Sequence, residues 1–469
     1  MATTPLPILR FDNEKQEYEF VEETFDKIID REGIQDLPIA VVSIVGDYRK
    51  GKSTLLNFLL RYFQHYDSED WLGNSKQKLT GFSWRQGVKR DTIGIVLWPE
   101  PLIITKKDGS KIAVILMDTQ GLFDDQTTHK DCRNIFAISS LLSSIQVYNQ
   151  MHMIQSNDIT KLSEFSQYSK CKKEETGYKA FQDLLLLVRD WSSPVDYHYG
   201  DEGGRDYLKS MKISQSGTFK ENWEVLYQSY AEINCFLMPH PGLAVNIPGF
   251  AGEITKLQPT FVSNLRQLAR SYFSPEKIAI KTSRGRNMKM AEFSIFFKSI
   301  VGNLMQKNTI GIDDLGYIDS EAQAKIALMH ATAEFFKQYV ALNPANDPSK
   351  LALSAERACA LATLVYLNMT NYIDPEIAEA YLDDWKSSVD EFVTERLMGS
   401  SNDKSKDSTD SGWRSNIFTS IRYFLYSLAS PVASKVIPTV IEVGIPFFLS
   451  RFNKNVSFKP KTRRQFRKR

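Results

Sequence analysis

Eight residues near the start of the chain have the types and spacing of a phosphate-binding loop. The stretch Gly46-Asp47-Tyr48-Arg49-Lys50-Gly51-Lys52-Ser53 follows an apolar run and precedes an amphipathic one. In such a loop, backbone N–H groups around Gly51 face the phosphates, while Lys52 reaches the β- and γ-phosphates and the Ser53 hydroxyl binds Mg²⁺. The sequence therefore predicts a nucleoside triphosphate site formed by Gly46, Arg49, Lys50, Gly51, Lys52, Ser53 and Thr54.

Two further positions fit the chemistry of such a site. Asp118-Thr119-Gln120-Gly121 matches an Asp-x-x-Gly motif, in which Asp118 orients Mg²⁺ and the Gly121 N–H senses the γ-phosphate. Thr92 lies between the two motifs, where a switch threonine binds Mg²⁺. A plain turn and an exposed loop threonine are the alternatives. The predicted metal ligands are Ser53, Thr92 and Asp118.

The elements that must position these residues indicate an open α/β sheet. Residues 39–45 and 54–63 read as a buried strand and a helix around the phosphate loop. Asp108-Gly109 predicts a hairpin whose second strand ends at Asp118. The other predicted elements of this region are a weak hairpin at 8–21, a helix at 22–30, strands at 92–98, 184–188 and 233–237, and a helix of about fifteen residues at 134–148.

From about Glu292 the pattern changes to helices alone. Segments near 292–306, 319–342, 349–369 and 374–397 carry apolar residues at helical spacing, which predicts a helical bundle. A polar linker rich in Ser, Asp and Lys follows.

Composition narrows the class of protein. The 469 residues are 42% hydrophobic and 24% charged, as is usual for a globular protein, and the formal charge of +2 does not indicate a nucleic-acid partner. Four scattered cysteines without metal-ligand spacing indicate a reducing compartment. Because the first residues lack a secretory signal pattern, we expect the main body to face the cytosol.

A base-recognition pair is predicted at the end of a later strand. The Asn-Lys-x-Asp signature of small GTPases is absent, but Arg189-Asp190 follows residues 184–188. Asp190 can accept the two guanine donors while Arg189 packs over the base. An ion-paired strand end is the alternative.

The chain resembles the atlastin family of dynamin-related GTPases, in the wider group that includes the guanylate-binding proteins. The resemblance covers about residues 37–275. It is carried by the phosphate loop with its internal Arg49, by Asp118–Gly121, and by the stretches 79–85, 143–149, 187–191 and 235–243.

The resemblance implies GTP hydrolysis with Mg²⁺, head-to-head homodimerisation through the GTPase domain, and homotypic fusion of endoplasmic reticulum tubules. It implies that Arg49 is an internal arginine finger. Charge gives an independent reason, since an arginine inside a phosphate loop can offset the negative charge that develops at the β–γ bridging oxygen in the transition state. Arg49, Lys52 and Thr92 form the predicted catalytic set. Ser53 and Thr92 match the Mg²⁺ ligands of the family. Arg189 and Asp190 match its guanine-recognition pair. Gln120 is a secondary candidate for positioning water, and Ile93 replaces a threonine common in the family.

The carboxyl-terminal region departs from the family pattern. Atlastins carry a long apolar hairpin there, whereas residues 417–452 contain Arg422, Lys435 and Glu442, and the charge-free run 423–434 has twelve residues. We expect a re-entrant or interfacial segment; a degenerate two-pass hairpin and a soluble helical subdomain are the alternatives. Residues 451–469 contain nine Lys or Arg and no acidic residue, which favours contact with an anionic membrane surface. RNA binding and a solvated tail are the alternatives.

The predicted organisation has six parts. They are a leading segment (1–36), an α/β GTPase domain with a mixed, mostly parallel sheet (37–280), a helical-bundle middle domain (281–398), a polar linker (399–416), a membrane-associated segment (417–452) and a basic tail (453–469).

The predicted function is a GTPase that dimerises on GTP binding and couples hydrolysis to helical-domain movement for tethering or fusion of endoplasmic reticulum membranes. Its predicted partners are GTP, a second copy of the chain and membrane lipids through 417–469, with no nucleic acid. The alternatives are a soluble, cytosolic guanylate-binding-like GTPase and a slow-hydrolysing nucleotide-gated tether.

Overall fold

The structure is a computed structural model. It describes residues 4–12, 17–47, 50–73, 77–83, 94–119, 129–166, 179–213, 217–307, 312–342 and 351–398. The described chain divides into two compact units. The first reaches Phe293 and also includes Phe297–Ile318, and the second combines Ser294–Phe296 with the described residues from Asp319 onward.

The first unit is built on a nine-stranded sheet with the order β2-β1-β4-β6-β3-β7-β8-β9, in which β5 also pairs with β6. The strands are β1 (Leu6–Asp12), β2 (Glu17–Phe20), β3 (Ile39–Gly46), β4 (Ile95–Leu97), β5 (Leu102–Thr105), β6 (Lys111–Thr119), β7 (Ile145–Met151), β8 (Phe181–Arg189) and β9 (Tyr230–Leu237). A separate two-stranded hairpin joins β10 (Thr282–Ser283) to β11 (Arg286–Asn287).

The five strands from β6 through β3, β7 and β8 to β9 are parallel. Every residue of β3 is buried, as expected for a central strand covered on both faces, and its β-branched residues suit that environment. The remaining strands pair antiparallel at one side, including the predicted hairpins β1–β2 and β5–β6. The mixed, mostly parallel sheet is therefore confirmed.

Helices flank this sheet. In the first unit they are α1 (Glu22–Ile29), α2 (Lys52–Gln64), α3 (His129–Leu142), α4 (Ser156–Ser166), α5 (Gly200–Ile213), α6 (Thr218–Ser229), α7 (Pro259–Leu268) and most of α8 (Met290–Lys307). Apolar residues of α2, such as Leu56, Leu59 and Phe63, pack into one core with β3, β6 and α7.

The predicted helix at 134–148 is wrong at its carboxyl end. Helix α3 stops at Leu142, and Ile145–Met151 form β7, which lies between β3 and β8 at the centre of the sheet. Ser143 and Ser144 separate the two elements. The Ser144 N–H donates to the Val41 carbonyl at 2.9 Å, so the chain joins the sheet immediately after the helix.

The second unit contains long helices. Helix α9 (Ile312–Leu342) enters this unit at Asp319 and is followed by α10 (Leu351–Thr370) and α11 (Pro375–Met398). Phe335, Trp385 and Phe392 are buried in its core, where Trp385 Nε1 donates to Thr332 Oγ1 at 2.9 Å. The predicted helical region following the α/β domain is confirmed.

Within the described part of the chain, no helix combines the length and apolarity needed to span a membrane. The predicted membrane-associated segment at 417–452 and the basic tail lie outside the described residues.

Candidate nucleotide-binding site

The phosphate loop leaves the carboxyl end of β3 and leads into α2. Gly46 is required at its start because its φ is 139° and a Cβ there would overlap the carbonyl oxygen of Asn149 on β7. Gly51 is required at its end because its φ of 75° is left-handed and a Cβ would meet the Arg189 guanidinium. The two glycines therefore allow the loop to lie close to β7 and β8.

Lys52 is the first residue of α2 and is only 7% exposed. Its Nζ donates to the Asp47 carbonyl at 3.0 Å. Burial lowers the pKa of this ammonium, and the negative charges of Asp118 and Asp47 oppose that shift. A cation held in this way can interact strongly with a phosphate, because little water is present to screen it.

Ser53 and Asp118 meet although 65 residues separate them. The Ser53 hydroxyl donates to Asp118 Oδ2 at 2.6 Å. The contact follows from the sheet, since β3 and β6 are parallel neighbours and Ile44 pairs with Asp118. A hydroxyl and a buried carboxylate are hard oxygen ligands of the kind that Mg²⁺ prefers. Two of the three predicted metal ligands therefore lie together, in an arrangement that fits Mg²⁺.

Asp190 follows β8 and has an unusual environment. Its backbone φ is 56°, in the left-handed region that aspartate and asparagine tolerate best among residues with a side chain. Its Oδ1 is buried and has no hydrogen-bond partner among the described residues. A buried carboxylate oxygen without a donor is costly. The N1–H and amino group of a guanine base are donors that would satisfy it.

Arg189 contacts the phosphate loop. Its Nη1 donates to the Lys50 carbonyl, and burial lowers the pKa of the guanidinium while the Asp190 charge opposes that shift. The end of β8 and the phosphate loop are thus joined directly. The predicted packing of Arg189 over the base stays a prediction.

Asn149 also contacts the loop and was not assigned a role from the sequence. It is 1% exposed, and its Nδ2 donates to the Lys50 carbonyl at 2.8 Å. The stretch 143–149 carried part of the resemblance, but its last residue was predicted to lie just beyond a helix. Recognising residues 145–151 as a strand would have placed Asn149 at the same sheet edge as Gly46.

Of the other predicted site residues, some lie within the described residues and some lie outside them. Lys50 has an exposed side chain, and Thr54 lies half-buried in the first turn of α2. Arg49, Thr92 and Gly121 lie outside the described residues, as do Gln120 and Ile93.

Comparison with known proteins agrees with this geometry. The model of the guanylate-binding protein N-terminal domain family matches residues 15–282, more than half of the chain. The chain belongs to this family. The match includes every predicted site residue from Gly46 to Asp190, and it confirms the predicted fold class of a phosphate-loop GTPase domain followed by helices.

Individual relatives point to one group within this family. The chain is 39% identical to human atlastin-2 over 301 residues, which are 63% of this chain and 52% of the relative. It is 41% identical to atlastin-1 of Bos taurus over 288 residues, 61% of this chain and 52% of the relative. For atlastin-2 of Xenopus laevis the identity is 39% over 301 residues, 63% of this chain and 53% of the relative. The predicted resemblance to the atlastin and guanylate-binding group is confirmed, and the matched stretch spans about half the length of these relatives.

Proposed function

We propose that this chain is a GTP hydrolase. The observation that carries the proposal is the meeting of three parts at one sheet edge. The phosphate loop holds the buried Lys52, the Ser53 hydroxyl touches Asp118, and Asp190 presents a buried oxygen that has no donor in the described part of the chain. Membership of the guanylate-binding family and similarity to atlastins support guanine as the base.

In the proposed reaction, Lys52 balances the charge of the β- and γ-phosphates and Asp190 accepts the guanine donors. Ser53 and Asp118, with Thr92, would hold Mg²⁺, which supplies charge stabilisation for the transferring phosphoryl group. Arg49 is proposed as the internal finger, placed by its position in the loop to offset charge on the leaving oxygens. Gly121 is proposed to contact the γ-phosphate through its N–H.

Phosphate release from GTP by the full chain tests this proposal. We expect turnover that requires Mg²⁺ and that excess ATP does not inhibit. Lys52→Ala should lower turnover about 100-fold or more, since it removes the main cation facing the phosphates. Lys111→Ala is the matched control, because Lys111 is exposed at the opposite end of β6 from Asp118. Equal turnover by the two variants would refute the proposed role of the loop.

Arg49→Ala separates an efficient GTPase from a nucleotide-gated tether. If Arg49 is the finger, turnover falls about 10³-fold or more while GTP still binds. Unchanged turnover would exclude the finger role. A wild-type chain that binds GTP but hardly hydrolyses it would favour the slow-hydrolysing tether.

We further propose that the chain forms GTP-dependent homodimers through its GTPase domain and acts in tethering or fusion of endoplasmic reticulum membranes. The proposal takes 37–280 as the GTPase domain, 281–398 as the moving helical domain, 399–416 as a linker and 417–469 as the lipid-binding region. Its support is the similarity to atlastins and the apolar and basic composition of the carboxyl-terminal region.

Alkaline carbonate extraction tests the membrane part of this proposal. We expect the full chain to stay in the membrane pellet and a shortened chain ending at Ser411 to be released. Release of both chains would favour a cytosolic guanylate-binding-like GTPase. Light scattering with GDP and with a non-hydrolysable GTP analogue tests dimerisation, and a monomer in both states would contradict it.

A further inference from the structure

The backbone carbonyl of Lys50 is the most heavily bonded acceptor of the described phosphate loop. It accepts from Asn149 Nδ2 at 2.8 Å and from Arg189 Nη1. The two donors come from neighbouring strands, since β7 ends near Asn149 and β8 ends at Arg189. This carbonyl is therefore held on the side of the loop that faces the sheet.

The direction of this carbonyl determines the direction of the next N–H group. In a trans peptide unit the C=O and the N–H point to opposite sides. Because the Lys50 carbonyl faces β7 and β8, the Gly51 N–H faces the other way, where a phosphate-binding loop presents its donors. The left-handed φ of Gly51 then leads the chain into α2, where the Gly51 carbonyl accepts from the Leu55 N–H at 3.1 Å.

We propose that Asn149 is a positioning residue of the nucleotide site, which orients the Lys50–Gly51 peptide so that its N–H points at the phosphates. The inference rests on the proposed GTP site and adds to it a residue to which the sequence assigned no role. Arg189 shares the task, but it is also predicted to recognise the base. Asn149 is the donor whose contribution can be separated from base recognition.

The surroundings of Asn149 show that its amide is fixed in place. The residue is 1% exposed and pairs with Gly46 across β3 and β7, where the absence of a Cβ on Gly46 lets the two backbones touch. Its Oδ1 is buried and has no hydrogen-bond partner among the residues that the structure describes. Because a carbonyl oxygen only accepts hydrogen bonds, the amide end that faces the Lys50 carbonyl must be the donor Nδ2.

Aspartate is the sharpest substitution because it keeps the size and removes the donor. Asn149→Asp places a carboxylate oxygen against the Lys50 carbonyl, so two acceptors repel each other and Arg189 is left as the one described side chain that holds the peptide. Asn149→Ala removes the donor without adding a charge or a new polar group, and it serves if the aspartate variant fails to fold. Asn264→Asp is the matched control, since Asn264 is 9% exposed and its amide also donates to a single backbone carbonyl, that of Thr260, at 2.9 Å.

The experiment measures the dissociation constants of GTP, GDP and xanthosine triphosphate for the full chain, together with the melting temperature without nucleotide. We expect Asn149→Asp to weaken the binding of GTP and GDP about tenfold or more, because the Lys50 carbonyl loses one donor and is repelled by the new carboxylate. Asn149→Ala should weaken the binding of both nucleotides about threefold to tenfold. The preference for guanine over xanthine should stay at the wild-type value, because Asp190 is intact.

The outcomes separate this inference from the proposed function. If the wild-type chain does not bind GTP, the proposed function fails. If the wild-type chain binds GTP and both Asn149 variants bind it equally well, the function stands and the inference is overturned. The control tests whether losing any buried amide donor lowers GTP affinity through destabilisation alone. Asn264→Asp should lower the melting temperature while leaving GTP affinity at the wild-type value. Loss of affinity in that control to the same degree as in Asn149→Asp would overturn the inference too.

Discussion

Replacing Asp190 with asparagine should change which base this chain binds. The backbone of Asp190 has a φ of 56°, a conformation in which asparagine is as well tolerated as aspartate, so the variant should fold normally. The buried Oδ1 has no hydrogen-bond partner within the described residues, so a bound base is free to use it. Asparagine replaces one acceptor with a donor. It should therefore reject guanine and accept xanthine, which presents one donor and one acceptor at the corresponding atoms.

The expected effect follows from the bonds that are lost. Asparagine keeps an acceptor for the guanine N1–H but turns a donor toward the guanine amino group, so the variant loses one charge-assisted hydrogen bond and the charge assistance of the other. Losing the first costs about 1.5–3 kcal/mol and losing the charge of the second about 1 kcal/mol, so GTP binding should weaken by about 2.5–4 kcal/mol, or roughly 10²–10³-fold. Competition binding with GTP and xanthosine triphosphate measures both affinities. Asp196→Asn is the matched control because Asp196 is exposed in the loop that follows the same strand. An Asp190→Asn chain that still prefers GTP would refute the assignment of the base site.

Three other predictions concern the metal, the core and pH. Ser53→Ala should raise the Mg²⁺ concentration needed for half-maximal GTP turnover about tenfold or more, measured by phosphate release. Asn57→Ala should lower the free energy of unfolding in urea by about 2–3 kcal/mol, because Asn57 is fully buried and bonds the Phe82 N–H and carbonyl at 2.5 and 2.9 Å. Burial, followed by repulsion from Glu232, raises the pKa of Asp183 from 3.8 to about 7. The folded protein therefore binds the Asp183 proton more tightly than the unfolded chain does, and the stability that this proton supplies is lost as pH rises from about 4 to 7. Because asparagine does not titrate, Asp183→Asn should have a melting temperature that rises progressively above that of the wild type over this range.

Each of these predictions has a result that contradicts it. An unchanged Mg²⁺ requirement in Ser53→Ala would remove that hydroxyl from the metal site. Unfolding of Asn57→Ala at the wild-type urea concentration would mean that water replaces both bonds. A difference in melting temperature between Asp183→Asn and wild type that stays constant from pH 4 to pH 8 would show that Asp183 does not titrate with a raised pKa.

Sequence alone was sufficient where the determining residues are neighbours in the chain. The phosphate loop is a contiguous motif, and the positions of its two glycines, its lysine and its serine between β3 and α2 follow from local backbone geometry. The hairpin around Asp108-Gly109 was predictable for the same reason, because two residues define the turn. Elements of the helical region were predictable from apolar spacing, since each long helix spans several turns of the pattern.

Tertiary structure decided what depends on neighbours that are distant in sequence. Residues 145–151 are apolar enough for either a helix or a buried strand, and their place between β3 and β8 makes them a strand. That same place brings Asn149 to Lys50 across 99 residues, and the next strand brings Arg189 across 139. Periodicity cannot reveal such contacts, because they arise from the order of parallel strands, whose carboxyl ends meet at one edge of the sheet.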